Sequence, residues 1–98
     1  MRFIQKEILF DLNPLEEKSK EFITMSKEGQ IVEYYINSDG NATVYLLRNN
    51  LKERILLFEG ERIPIYLNLN QNDTIGLSVK NEESSNIKIG VMLLIQEF

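Results

Sequence analysis

The closing stretch of the chain is apolar on both faces. Ile87, Ile89, Val91, Leu93 and Ile95 share one face of an extended strand, while the other begins with Lys88 and Gly90 and turns apolar at Met92 and Leu94. Successive side chains of a strand point to opposite faces, so a strand covering a single core alternates cleanly. A strand dry on both sides predicts a second cover over its far half. That cover is another layer of the domain, another copy of the protein, or the short Asn13–Glu17 segment with its Leu15.

The rest of the chain reads as strands between turn signals. Phe3 to Leu12 alternates over its second half, with Ile8, Phe10 and Leu12 opposite Glu7 and Asp11. Asn13-Pro14-Leu15-Glu16-Glu17 carries a helix-start signal, but apolar spacing does not continue past Leu15, which predicts a turn or loop. Glu21 to Ser26 predicts a short strand ended by Gly29. Gln30 to Ile36 and Ala42 to Leu47 flank Asn37-Ser38-Asp39-Gly40-Asn41, whose Asp-Gly pair predicts a hairpin. Asn49-Asn50 makes the next turn. Leu51 to Phe58 predicts a strand, Glu59 to Arg62 a turn, and Ile63 to Leu69 a strand in which Pro64 sits at the start or on an edge. Asn70 to Asp73 turns into Thr74–Lys80, with Ile75, Leu77 and Val79 facing inward. The polar loop Asn81–Asn86 leads to the final strand.

Strands of this length, with turn signals at this spacing and no intervening helix, predict an all-β fold. The expected architecture is a single antiparallel β-sandwich over residues 1–98, jelly-roll-like or a related Greek key of about eight strands. The segment from Ile63 to Ile95 runs apolar strand, Asn-Asp turn, alternating strand, polar loop, long apolar strand. It resembles the closing strands of jelly-roll domains, including tumour-necrosis-factor-like trimers and many phage and viral structural proteins. That resemblance is architectural, covers about a third of the chain, and implies a last strand in the middle of a sheet.

Composition narrows the functional classes. The 98 residues suit one domain. Net charge is −4, with acids spread over both halves and no basic stripe, so nucleic acid is not an expected partner. No apolar run approaches the length of a membrane-spanning helix, and Lys6 and Glu7 interrupt the N-terminus where a signal peptide would be apolar. Cytoplasmic synthesis is the expectation, with residence in a virion compatible with it. Cysteine and histidine are both absent, which removes disulfides, Ser-His-Asp triads, Cys-His pairs and His-ligated metals. No cofactor, metal or catalytic residue is expected, and the acids alternate with apolar residues as on a solvated sheet face.

Two oxygen-rich turns, 37–41 and 70–73, each carry a single carboxylate, which favours turn chemistry over calcium. Tyr34 and Tyr35 are adjacent in one strand and must point to opposite faces. Tyr45 and Tyr66 lie on other strands. The leading expectation is a non-enzymatic structural or assembly module that self-associates, as in a phage or virus particle or a similar surface assembly. Its interface draws on Met92, Leu94 and one of Tyr34 or Tyr35. The alternative is a carbohydrate- or peptide-binding sandwich using Tyr45, Tyr66, Asn37, Asp39, Asn72 and Asp73.

Overall fold

The computed structural model describes residues 1–58 and 60–98. The predicted turn at 59–62 is therefore described only from Gly60 onward. The described residues form eight strands: β1 (Arg2–Leu12), β2 (Glu17–Thr24), β3 (Gly29–Ser38), β4 (Ala42–Arg48), β5 (Leu51–Ile55), β6 (Ile63–Leu69), β7 (Thr74–Asn81) and β8 (Ile87–Glu97). They form two four-stranded sheets, ordered β1-β8-β3-β6 and β2-β7-β4-β5. Every pairing is antiparallel. The chain crosses between sheets after every strand except β4, and its first and last strands are neighbours. This is the wiring of a jelly-roll sandwich.

Period-2 patterning places the core between the sheets. Phe10, Leu12, Ile31, Ile36, Ile89 and Leu93 face it from the first sheet, and Val44, Leu46, Ile75, Leu77 and Val79 from the second. β7 and β8 each lie between two partners, which is why their inward faces are the most completely apolar.

The hairpin expected at Asp39-Gly40 is a crossing instead, because β3 and β4 belong to different sheets. A two-residue hairpin turn of type I′ needs positive φ at both central residues, and Gly40 does not adopt one. Its glycine serves space: a Cβ there would lie 2.7 Å from Ile87 Cγ2. Asp39 anchors this crossing by accepting the Lys88 backbone N–H at 2.8 Å. Among the described residues the tight hairpin lies at Asn49-Asn50, where both residues are left-handed (φ 53° and 66°). Asparagine tolerates that conformation better than most residues.

Strand limits shift where charge or burial conceals the pattern. β2 begins at Glu17, four residues before the expected start, because the run Glu17-Lys18-Ser19-Lys20 reads as a loop yet pairs with β7. β5 ends at Ile55 rather than Phe58: Leu56 turns into the core while its N–H still reaches Val44 O at 2.8 Å. Pro64 lies near the start of β6, an edge strand, as a residue without an N–H must. Asn13–Glu16 forms a turn in which Leu15 is left-handed (φ 60°) and 62% exposed, so Leu15 covers nothing on β8.

Candidate functional site

The outer face of the β1-β8-β3-β6 sheet is built from the residues that alternate with the core. In register across it, Gln5, Leu94 and Glu33 form one row, Glu7, Met92 and Tyr35 the next, and Leu9, Gly90 and Asn37 the third. Among the described residues no further element lies on this face. Met92 is nonetheless only 8% exposed and Leu94 is half-buried. The physical reason is local. β8 has a partner on each side, so the side chains of Glu7 and Tyr35 stand directly beside Met92. Gly90 leaves a dent into which β1 leans, since a Cβ there would lie 3.1 Å from Leu9 Cδ2 and 3.4 Å from Glu7 Cδ. The second cover expected over this strand is therefore absent among the described residues, and flanking side chains do part of its work.

Of the two adjacent tyrosines, Tyr35 joins this face. Tyr34 does not: it is 4% exposed, packs in the core, and donates its hydroxyl to Leu57 O at 2.5 Å. Of the pair expected to split between core and surface, Tyr34 is thus the core member and Tyr35 the one left on the outer face. Leu9 and Phe3 also project from β1 with most of their surface exposed, which widens the apolar area around Met92 and Leu94. The outer face of the other sheet is more polar. Its central strand presents Thr74, Gly76, Ser78 and Lys80, beside Thr43, Tyr45 and Leu47 of β4.

The four sheet edges are each blunted. Lys18 and Lys20 occupy core-facing register positions on edge strand β2, opposite Val79 and Leu77. They extend to edge strand β1 instead, where Lys18 Nζ donates to Asp11 O at 3.0 Å and Lys20 Nζ to Leu9 O at 2.6 Å. Lys20 also lies over the Phe10 ring at 4.9 Å. β2 itself is bulged at Phe22. β6 carries Pro64 and a left-handed Tyr66 (φ 48°), and its register with β3 breaks there. β5 is five residues long, charged and bulged. Short, charged, bulged or covered edges resist pairing with another chain.

The residues of the expected ligand-binding alternative are scattered. Asn37 and Asp39 lie at one end of the sandwich beside Lys88 and Gly90, and Asn72 and Asp73 at the other, beyond the Gly29–Leu69 pairing. Tyr45 is on the outer face of the second sheet, with Lys52 Nζ 4.3 Å from its ring centre, while Tyr66 is exposed on β6. Asp73 is engaged in structure. Its carboxylate accepts from Asn70 N at 2.9 Å, Asn49 Nδ2 at 3.1 Å and Arg48 Nη1 at 3.4 Å, linking two turns to β4. The Asn70 N–H, helped by Asn49 and Arg48, holds this carboxyl below its ordinary pKa against the opposing effect of burial.

Glu97 is a second buried carboxylate that the alternating pattern did not single out. Ser26 Oγ donates to it at 2.9 Å and Arg2 pairs with its other oxygen. The Ser26 hydroxyl, with Arg2, likewise holds Glu97 below its ordinary pKa. Both acids tie chain segments together, and among the described residues no group of three acids converges as a metal site would require. No described helix is long and apolar enough to cross a membrane. No protein-family model and no curated protein matches this chain.

Proposed function

We propose that this domain is a non-enzymatic structural module that self-associates through the outer face of the β1-β8-β3-β6 sheet, as a building block of a phage or virus particle or a comparable surface assembly. The observation that carries the reading is an apolar set on a face that no described element covers: exposed Leu9 and Phe3 on β1, with half-buried Leu94 and Tyr35 beside a Met92 that is only 8% exposed. Exposed apolar patches of this kind mark interaction surfaces. The blunted edges support a face-to-face contact over strand pairing between copies. With two copies, the self-complementary arrangement is a two-fold contact that brings the same face of each together.

The test is mass in solution, by light scattering after size exclusion over a range of micromolar concentrations. A defined oligomer is expected, which Leu94→Glu dissociates into a folded monomer with circular dichroism unchanged. Thr43→Glu, on the outer face of the other sheet, leaves the mass as it is. A wild-type monomer throughout, or a Leu94→Glu variant of unchanged mass and stability, removes the proposal.

A further inference from the structure

A cleft of about 420 Å³ opens along the side of the sandwich where the edge strands β5 and β6 part. This is within the size range of small-molecule sites, roughly 300–1,000 Å³. Its walls are largely aliphatic, from Ile55, Leu57, Ile63 and Ile65. Leu57 is mostly exposed, while Ile63 and Ile65 pack against the core only in part. The reason is topological: β5 and β6 are the last strands of their sheets, and among the described residues no strand lies beyond them to close the sandwich.

Three charged residues also line the cleft: Arg54, Glu61 and Arg62. Arg54 pairs in register with Leu46, a fully buried core residue, so Arg54 lies on the core-facing side of β5. It lines the cleft and makes no hydrogen bond or ion pair within the described residues. The other cation of the lining, Arg62, is held by Glu33 at 3.5 Å, and Glu61 also lines the cleft. A guanidinium at the mouth of an aliphatic cleft is matched by a ligand with a carboxylate head on a hydrocarbon body. We propose that this cleft binds a free mono-anionic amphiphile of about the size of decanoate, with Arg54 holding the head group and Ile55, Leu57, Ile63 and Ile65 the chain. The proposal is independent of the self-association surface, which lies on a different part of the molecule.

The experiment is a titration of the full chain with sodium decanoate, followed by amide chemical shifts. The expected result is saturable shifts confined to residues 54–57 and 63–65. Decanol, with the same chain and no charge, binds more weakly. Arg54→Gln keeps the native spectrum but weakens decanoate about tenfold, the scale of one lost charge-assisted hydrogen bond. A parallel titration uses vesicles of phosphatidylglycerol and phosphatidylcholine. Equal binding of decanoate and decanol, shifts elsewhere in the fold, no binding at millimolar decanoate, or binding to vesicles alone each overturns the proposal.

Discussion

Lys20 on β2 donates its ammonium to the backbone carbonyl of Leu9 on β1, 2.6 Å away and in the opposite sheet. Lys18 makes the equivalent bond to Asp11 O two residues along. Two lysines at positions that alternation would assign to the core thus bridge the open side of the sandwich and occupy carbonyls of an edge strand. Inward-directed charges on edges are a known means of discouraging strand pairing.

Removing both ammonium groups exposes that edge. The double variant Lys18→Ala, Lys20→Ala is expected to remain folded and to gain concentration-dependent association beyond that of wild type. Sedimentation velocity on the two proteins, at matched concentrations, measures it. If the double variant sediments as wild type does, the lysines do not guard β1.

The adjacent tyrosines give a second test, because they separate packing from surface. Tyr34 fills the core and bonds Leu57 O, so Tyr34→Ala should cost about 3–5 kcal/mol in urea unfolding, as for a buried aromatic residue. Tyr35 stands beside Met92 on the outer face, so Tyr35→Ser should cost far less in intrinsic stability while weakening any oligomer. Equal destabilisation by both would contradict the assignment of faces.

Acid should unfold the domain through Asp73 and Glu97. Both carboxyls are held below their ordinary values in the folded state, by Asn70 and by Ser26 respectively. The unfolded chain takes up protons at the ordinary carboxylate pKa of about 4, above the pKa of the folded form, so falling pH favours unfolding. Their stabilisation is complete above the ordinary value and is lost as pH falls through the folded one. Melting temperature is expected to hold between neutrality and about pH 5 and to drop below it. Asp73→Asn and Glu97→Gln should each lower stability at neutral pH and flatten the acid slope; melts at intervals down to about pH 3, below the ordinary carboxylate range, decide it.

Gly40 provides a local test of the crossing between sheets. A methyl group there meets Ile87 Cγ2 and the Glu83 side chain. Gly40→Val should therefore destabilise the domain by about 1–3 kcal/mol, typical of overpacking. Shortening the neighbour with Ile87→Ala in the same chain should recover part of the steric loss. A denaturant-based double-mutant cycle measures the coupling, and additive effects would show that Gly40 is not confined by Ile87.

Much of this fold was legible in the amino-acid pattern because alternation is a local property. Ile75, Leu77 and Val79, and the odd-numbered face of the last strand, had to share a core, and the turn residues between them set the strand count. The absence of histidine and cysteine ruled out His- and Cys-based groups and disulfides on composition alone. Pairing is not local. Asp39-Gly40 reads as a hairpin along the chain and is a crossing in space, because the outcome depends on whether β3 finds β8 and β6 rather than β4. Lys18 and Lys20 hid a strand because the edge of the sandwich, not their alternation, sets where an ammonium can reach. For Met92 and Leu94, residue order alone required that the end of the last strand be apolar on both sides. What lies against them was fixed by the packing of distant segments: neighbours from β1 and β3 hem in Met92, and among the described residues no second layer stands above it, since the eight described strands are spent on the two sheets that face each other.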